Sequence, residues 1–405
     1  MADGDGKSDL ESGKNRGKEH NSITKLMMEG LQIVALLGLF LSAISSVIAT
    51  HEVSVSCMMV YDEGGASAVF GSPECPHWVL STESLRNQTG NCQFATLQGH
   101  REYQEDRITC NLEMKMPFLD KNGTREVMVS VAAVFDGHGG EEASEMASKH
   151  LLDYFSLHFV FNTYKQALSY KEERNHDLVF QGHDGDEVER DILNLGSSKG
   201  VLPLNEDEPE AFNNKYVSGS TATVVLWVDG QILVANVGDS KALLCSERIQ
   251  SPLEAGTSMA KLHAEELTRD HHPDRDDERA RIEAAGGFVR MRGVPRVNGI
   301  LALSRSIGDV YLKRYGVIAV PEVLGWRPLT ANDSYLVIAS DGIFETLTLG
   351  DVCDLLWDAN IQENEISQNS SSCLSSSLAS NIVNTAFKKG SSDNLSAIVV
   401  PLRST

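Results

Sequence analysis

The sequence predicts an α+β fold of mostly antiparallel sheets with helices packed outside them. Hydrophobic runs rich in β-branched residues alternate with turns, and Asp229-Gly230 between two runs is a strong hairpin signal. Hairpins dominate the middle of the chain and the last strand follows a helix, which favours helices covering the sheets. Strands are predicted at Val127–Phe135, Thr221–Trp227, Gln231–Val237, Tyr335–Ala339 and Leu395–Val400. Helical periodicity predicts helices at Glu141–Phe155, Asp276–Ala285, Leu349–Trp357 and Leu378–Lys388.

Length and composition limit the possible classes of protein. The chain has 405 residues, enough for one large catalytic domain or two smaller domains. Hydrophobic residues make up 41% and charged residues 23%, which excludes a wholly disordered or fibrous chain. The formal net charge of −22 would repel a phosphate backbone, so no nucleic-acid binding is expected.

The first 90 residues predict a membrane-anchored arrangement. Residues 1–29 have the composition of a disordered polar tail, and Gly30–Thr50 contains no charged residue. At 1.5 Å per residue this run spans a bilayer core of about 30 Å. A buried core helix usually has a polar stripe, and a cleaved signal peptide usually has a shorter hydrophobic run, so a single-pass anchor is preferred.

The rest of the chain is divided by composition. Residues 51–90 lack clear periodicity and are predicted to form a juxtamembrane connector to the main folded domain at 91–405. A polar stretch at 163–215 and a serine-rich stretch at 362–377 are interpreted as insertions.

The seven cysteines give no sign of a metal or redox motif. No pair has CxxC spacing, and no cysteine has an arginine six positions later, so structural zinc and cysteine-dependent phosphatase chemistry are not expected. Most are predicted to be small buried hydrophobic residues. Cys57 and Cys75 would be able to form a disulfide in an oxidising compartment.

Acidic residues lie at four points where strands meet turns. Asp136 and Asp341 each follow a hydrophobic run and precede glycine, Asp393 precedes the last strand, and Glu105-Asp106 opens the domain. Oxygen ligands from several loops are what Mg²⁺ or Mn²⁺ requires. Because Arg101 lies close by in sequence to grip a phosphate, the pattern predicts metal-assisted hydrolysis of a phosphate ester.

With these residues identified, the chain resembles the metal-dependent protein serine/threonine phosphatases of the 2C type, including their plant forms. The resemblance covers about 91–402, and its motifs occur in the family's order. They are Arg101-x-x-x-Glu105-Asp106, Asp136-Gly-His-Gly-Gly140, Ser218-Gly-Ser-Thr-Ala222, Asn236-Val-Gly-Asp-Ser240, Leu267-Thr-x-Asp-His-x-Pro273, Arg296-Val-Asn-Gly299, Ala302-Leu-Ser-Arg-Ser-Ile-Gly-Asp309, Ser340-Asp-Gly342 and Asp393-Asn394.

The resemblance implies two packed, mainly antiparallel sheets flanked by helices, with a site for two Mg²⁺ or Mn²⁺ ions at one edge. Asp136 would bridge both metals, with the Gly137 carbonyl and Glu105 as further ligands. Asp341 and Asp393 would also be metal ligands, and Asp239 would bind a weaker third metal. Asp106 would orient the ligands without binding metal itself.

The resemblance also implies how a phosphoserine or phosphothreonine in a protein substrate would be hydrolysed. Arg101 would clamp the phosphate, a metal-bridging hydroxide would attack phosphorus, and His138 would protonate the departing oxygen. The chain is expected to act as a monomer. A catalytically dead relative that only binds a partner would have lost ligands. A calcium-holding structural protein would show Asp-x-Asp-x-Asp-Gly spacing, which is absent.

The sequence does not decide on which side of the membrane the domain lies, but it slightly favours the extracytoplasmic side. Five Lys or Arg residues precede Gly30, and none follows Thr50 until Arg86, which favours an extracytoplasmic domain. Two observations oppose this orientation. Phosphoprotein substrates are expected in the cytosol, and Asn394-Leu-Ser396 is a glycosylation sequon beside Asp393, where a glycan would obstruct the site.

Overall fold

The structure is a computed structural model that describes residues 57–73, 92–120, 123–159, 217–249, 260–367 and 377–402. Its centre consists of two five-stranded antiparallel sheets packed face to face. One sheet contains, in spatial order, β1 (Gln93–Leu97), β15 (Leu395–Pro401), β14 (Asp333–Ala339), β8 (Lys241–Ile249) and β9 (Ala260–Glu266). The other contains β13 (Glu322–Pro328), β7 (Gln231–Val237), β6 (Ala222–Val228), β3 (Gly123–Phe135) and β2 (Arg107–Asp120).

Two smaller sheets complete the strand inventory of the described residues. β4 (Gly137–His138), β5 (Gly219–Ser220) and β12 (Ile307–Gly308) form one, with β5 in the middle. β10 (Val289–Arg292) and β11 (Val294–Val297) form a hairpin. The helices are α1 (Cys57–Gly71), α2 (142–159), α3 (Asp276–Ala284), α4 (Val310–Lys313), α5 (Asp341–Phe344), α6 (Leu349–Ser367) and α7 (Leu378–Lys388).

Successive side chains of the strands pack alternately against the opposite sheet and against helices, which gives a four-layer sandwich. In β3, Ala132 and Val134 face the opposite sheet, whereas Val131 and Ala133 face α2. The strands of the first sheet alternate in the same way between the opposite sheet and α6 with α7. Since successive side chains of a strand point to opposite faces, strands buried on both faces are apolar throughout. The predicted α+β class and its antiparallel sheets are confirmed.

Most predicted elements occur within a few residues of their expected bounds. The structure adds elements that the sequence analysis did not predict, above all β1, β2, β8, β9 and α1. Helix α1 lies inside the predicted connector, and the Tyr61 hydroxyl hydrogen-bonds to Nδ1 of His158 on α2. Helix α6 continues to Ser367, so the start of the predicted serine-rich loop is helical.

Cys92, Cys245 and Cys353 are buried, as was expected of most cysteines, but four of the cysteines are paired, which the sequence analysis did not predict. Disulfides join Cys92 to Cys110 and Cys245 to Cys353. The first links the start of β1 to β2, and the second links β8 to α6. The spacing in sequence gives no signal for either pair, because the partners meet only when the sheets and helices pack.

Several predictions fall outside the described residues. They are the polar tail at 1–29, the hydrophobic run Gly30–Thr50, the insertion at 163–215 and the partner cysteine Cys75. Among the helices that the structure describes, none is both long enough and apolar enough to cross a membrane.

A small separate core supports the segment between α3 and β13. Ile282 on α3 packs with Val297, Leu303, Leu312 and Val317 in a cluster apart from the sandwich. This cluster fixes the segment that carries β12 and α4 next to the end of the sheets.

A buried carboxylate ties this small core to its surroundings. The Glu278 side chain is fully buried and accepts hydrogen bonds from Arg281 and Arg305. The Ser304 hydroxyl lies 2.5 Å from Oε2 of Glu278 and 2.8 Å from the carbonyl oxygen of His271. Burial opposes ionisation of Glu278, but the hydrogen bonds from Arg281 and Arg305 outweigh it and lower its pKa.

We expect Glu278→Gln to lower the free energy of unfolding by about 3 kcal/mol, because breaking a buried ion pair leaves charges uncompensated. A lowered folded-state pKa stabilises the fold above the ordinary glutamate pKa, and this stabilisation is lost as the pH falls through the lowered value. The variant should therefore show a weaker loss of stability in acid. Urea unfolding between pH 3 and 7 measures both effects.

The matched control is Glu283→Gln on the same helix, whose carboxylate is 54% exposed and pairs with Arg279. Its unfolding midpoint should stay close to that of the wild type. Equal losses in the two variants would contradict the role of Glu278.

Candidate metal centre and active site

Three carboxylates meet at one end of the sandwich. Asp136 directly follows β3, and Asp341 lies two residues after the end of β14. Asp239 lies in the connection from β7 to β8. One carboxylate oxygen from each lies within 4.8 Å of the others. Their strands belong to different sheets, so the cluster forms only where the two sheets pack together.

The antiparallel order of the strands explains why these residues share an end. Strand β14 runs opposite to β15 and β8, so its last residue lies beside the first residues of both. In the other sheet β3 ends beside the start of β2. Asp393 and Glu105 precede β15 and β2, and they consequently lie at the same end.

The electrostatics of the cluster are unfavourable without a cation. Burial raises the pKa of Asp136, and the charges of Asp106, Asp341 and Asp239 raise it further. Burial and Asp341 raise the pKa of Asp239 to about 7. Burial and the charge of Asp393 likewise raise the pKa of Asp341. Like charges held this close resist ionising together.

This donor set fits a divalent cation of the Mg²⁺ or Mn²⁺ class. All three groups offer carboxylate oxygens, which these hard ions prefer, and no thiolate or imidazole belongs to the cluster. A bound cation would also offset the repulsion that raises the three pKa values.

Thr221 fixes the backbone of Asp136 from both sides. Its N–H donates to the carbonyl of Asp136 at 2.8 Å, and its hydroxyl accepts from the N–H of Asp136 at 3.0 Å. The same hydroxyl lies 2.8 Å from that of Ser240, the neighbour of Asp239. Thr221 thus connects the main chains that carry two of the three carboxylates.

The loop that carries Asp239 is fixed by a buried histidine. Gly238 donates its N–H to Nδ1 of His271 at 3.0 Å, and Nε2 of His271 lies 3.2 Å from Glu322. Burial lowers the pKa of His271 to about 4, which keeps the ring neutral. Gly238 has φ +105°, and a Cβ there would lie 2.5 Å from Thr221, so this position requires glycine.

Asp106 lies behind the cluster. Its carboxylate is almost fully buried and accepts a hydrogen bond of 2.9 Å from the Ser340 hydroxyl, directly before Asp341. Burial raises its pKa to about 7. The contact supports the predicted orienting role, which stays a prediction.

Glu105, Asp393 and Arg101 border the three-carboxylate cluster without belonging to it. The Glu105 carboxylate accepts from the N–H of Gly140 at 2.6 Å. Arg101, whose side chain is 56% exposed, donates to the Asp393 carboxylate at 2.5 Å. Gly137 is buried in β4, where a Cβ would lie 2.4 Å from the Glu105 carbonyl oxygen.

One amide holds the loop that carries Arg101 and Glu105. Oδ1 of Asn394 accepts from the N–H of Glu105 at 2.8 Å, while its Nδ2 donates to the carbonyls of Gln98 and Tyr103 at 2.8 and 2.9 Å. The residue is only 4% exposed. Its side chain uses both amide hydrogens and its oxygen for this loop.

His138, the predicted proton donor, pairs with an aspartate from another part of the chain. Its Nε2 lies 2.8 Å from Oδ2 of Asp309, which precedes α4. Burial opposes protonation of His138, but the charge of Asp309 and its hydrogen bond outweigh burial and raise the pKa.

The structure therefore brings every predicted site residue to one end of the sandwich. Sequence reasoning gave no role to Thr221, His271, Asn394 or Asp309, although each stands in a quoted motif. Asn394 directly follows the predicted ligand Asp393, and this position could have indicated a role in the site. The pairing of Asp309 with His138 had none, since 171 positions separate the two.

We expect Asn394→Asp to reduce turnover at least tenfold, because a carboxylate oxygen would replace the NH₂ group that faces two carbonyls. Loosening of the loop should also raise the Mn²⁺ concentration needed for half-maximal activity. Asn384→Asp, at an exposed position of α7, is the control and should behave like the wild type. Unchanged Mn²⁺ dependence in Asn394→Asp would contradict the role of this amide.

Comparison with known proteins identifies relatives of the whole described domain. The family model described as Protein phosphatase 2C matches residues 91–395. The "Probable protein phosphatase 2C 51" of Arabidopsis thaliana is 43% identical, with 94% of this chain and 84% of the relative covered. The "Putative protein phosphatase 2C 76" of Oryza sativa subsp. japonica is 40% identical, with 87% and 85% covered.

A solved structure has a similar fold. It is described as the crystal structure of serine-threonine phosphatase 2C from Toxoplasma gondii, and it aligns with a TM-score of 0.50. The two chains are 20% identical, and the alignment covers 77% of this chain and 94% of that one.

Proposed function

The chain belongs to the protein phosphatase 2C family and is thus a metal-dependent serine/threonine protein phosphatase, and we propose that the carboxylate cluster described above is its catalytic centre. The observation that carries this proposal is the meeting of Asp136, Asp239 and Asp341 within 4.8 Å beside Arg101 and His138. Asp136, Asp341, Asp393 and Glu105 with the Gly137 carbonyl would hold two Mg²⁺ or Mn²⁺ ions, and Asp239 would hold a weaker third.

When bound, these ions supply Lewis-acid stabilisation and lower the pKa of the attacking water. The side chains of this chain supply the other functions. Arg101 has a planar, permanently charged guanidinium that suits a phosphate. It is more than half exposed and feels the charges of Asp393, Asp341 and Asp136, so it lies where a substrate phosphate can reach both it and the cluster.

His138 is proposed as the proton donor to the leaving serine or threonine oxygen. An alkoxide is a poor leaving group, so a positioned acid contributes to breaking its bond to phosphorus. The imidazole is about one-third exposed and lies two residues after Asp136, and its Asp309 partner favours the protonated form. Phosphoproteins are the substrates, and a single copy of the chain is proposed as the active unit.

We expect Asp136→Asn and Asp341→Asn each to remove nearly all turnover of a phosphoserine peptide at saturating Mn²⁺. Each change removes a charged oxygen donor at a polar edge and leaves the apolar cores intact, so thermal unfolding should remain cooperative. Asp229→Asn in the exposed β6–β7 turn is the control. Activity above a tenth of the wild-type value in either variant would refute the assignment.

We expect His138→Gln to slow hydrolysis of phosphoserine peptides by about 10²–10⁴-fold, the usual contribution of a general acid. Hydrolysis of p-nitrophenyl phosphate should fall much less, because its leaving group hardly needs a proton. Steady-state kinetics on both substrates, at equal Mn²⁺ saturation, measure the difference. Equal losses would indicate that His138 positions phosphate or metal instead.

We further propose that Gly30–Thr50 anchors the protein in a membrane and that the phosphatase domain faces the extracytoplasmic side. The charge asymmetry around the hydrophobic run supports this orientation. The disulfides Cys92–Cys110 and Cys245–Cys353 support it as well, since disulfides persist in oxidising compartments. The sequon at Asn394 does not oppose it, because this amide is buried and fully hydrogen-bonded.

The orientation is tested on the full-length protein in sealed vesicles from its native membrane. A lumenal domain should resist added protease, carry both disulfides in non-reducing peptide mapping, and show a glycosidase-sensitive mass. Asn122→Gln, which removes the Asn122-Gly-Thr124 sequon, should reduce that mass shift, whereas Asn384→Gln should not. Digestion by protease, with no glycan and free thiols, would establish a cytosolic domain, and extraction by alkaline carbonate would exclude the anchor.

A further inference from the structure

The imidazole of His138 has a single hydrogen-bond partner among the residues that the structure describes. Its Nε2 lies 2.8 Å from Oδ2 of Asp309, and the Asp309 side chain is 1% exposed. A carboxylate buried to this degree is costly unless it is paired. Its other oxygen, Oδ1, has no hydrogen-bond partner within the described ranges. His138 is therefore the only described group that donates to this carboxylate through a side chain.

The backbone around the pair is arranged so that the two side chains can meet. The three-stranded sheet β4–β5–β12 has Gly219 in its middle strand, paired with His138 on one side and Gly308 on the other. A Cβ on Gly219 would lie 2.1 Å from Oδ2 of Asp309 and 2.2 Å from Nε2 of His138. Only glycine leaves room for the contact above this strand.

Asp309 itself has an uncommon backbone conformation. Its φ of 46° and ψ of 44° lie in the left-handed region, which is uncommon for residues other than glycine, although asparagine and aspartate adopt it more often than the rest. Its N–H donates to the carbonyl of Ser218 at 3.0 Å, which fixes this conformation against β5. Such strained positions persist where the surrounding structure requires them.

We propose that Asp309 is a positioning residue for His138, and that it reserves Nε2 so that Nδ1 is the nitrogen that gives its proton to the leaving oxygen. This inference rests on the proposed acid role of His138. A carboxylate oxygen accepts hydrogen bonds, so Nε2 must carry the hydrogen of the pair. Nδ1 makes no hydrogen bond to any described residue and is thus the nitrogen available to substrate.

The proton balance follows from this arrangement. The imidazolium carries hydrogen on both nitrogens, and transfer of the Nδ1 proton to the serine or threonine oxygen leaves a neutral ring. The hydrogen on Nε2 stays bonded to Asp309 throughout, so the ring keeps one tautomer and one orientation. The corresponding function of a buried aspartate is known from catalytic triads, where it holds a histidine in the correct tautomer.

Asp309→Asn tests the proposal, because asparagine tolerates the left-handed conformation and nearly preserves the shape. We expect kcat/KM for a phosphoserine peptide to fall by roughly 10²-fold, and that for p-nitrophenyl phosphate by less than about threefold. The control is Asp229→Asn, since Asp229 also has a positive φ, of 49°, but lies in an exposed turn. It should leave both substrates unaffected.

Two further measurements separate positioning from a general loss of structure. The double variant His138→Gln/Asp309→Asn should be no slower than His138→Gln alone, because both changes remove one function. In the wild-type protein, ¹⁵N NMR of the neutral His138 ring should show the hydrogen on Nε2, and Asp309→Gly, which removes the acceptor but tolerates the left-handed backbone, should abolish this preference.

The proposal is overturned if Asp309→Asn slows both substrates equally while His138→Gln slows only the phosphopeptide. It is also overturned if the neutral wild-type ring carries its hydrogen on Nδ1. If His138→Gln itself fails to distinguish the substrates, the acid role in the proposed function is wrong. The NMR tautomer then still decides whether Asp309 positions the ring.

Discussion

The mutual repulsion of three partly buried carboxylates is the constraint on which the rest of this site depends. Asp136, Asp239 and Asp341 approach within 4.8 Å, and burial together with neighbouring negative charge raises the pKa of each. Such a cluster is stable as three anions only with a cation among them. The hydrogen bonds of Thr221 and His271 hold the main chain next to these carboxylates. The fold thus keeps the three groups close together although their charges repel one another.

The chemistry is divided between the two large sheets and the small core beside them. The sheets bring the carboxylates to one end, whereas the segment between α3 and β13 delivers Asp309 to His138. The two parts are coupled through Ser304, which contacts both Glu278 of the small core and the carbonyl of His271 next to the Asp239 loop. Ser304 thus links the segment that carries Asp309 to the histidine that holds the Asp239 loop.

The sequence indicated the candidate ligands, but not the residues that hold them in place. Asp136 and Asp341 each lie between an apolar strand and a glycine. This pattern is local in the sequence, so it can be recognised without knowledge of the fold. The partners of Asn394 lie near residue 100, and Asp309 reaches His138 across 171 positions, so both depend on how the sheets pack. The paired cysteines escaped prediction for the same reason. Strand β9 and the hairpin β10–β11 were missed because their residues are largely exposed and lack an apolar run.

The central claim is that these carboxylates form one metal centre for two or more divalent cations in a folded phosphatase domain. Its most direct test is to count bound Mn²⁺ by equilibrium dialysis on the metal-stripped and then reloaded protein at neutral pH. We expect at least two ions per wild-type chain, and fewer in Asp136→Asn at the same free Mn²⁺ concentration. Undiminished Mn²⁺ binding by that variant, or no binding by the wild-type protein, would contradict the account.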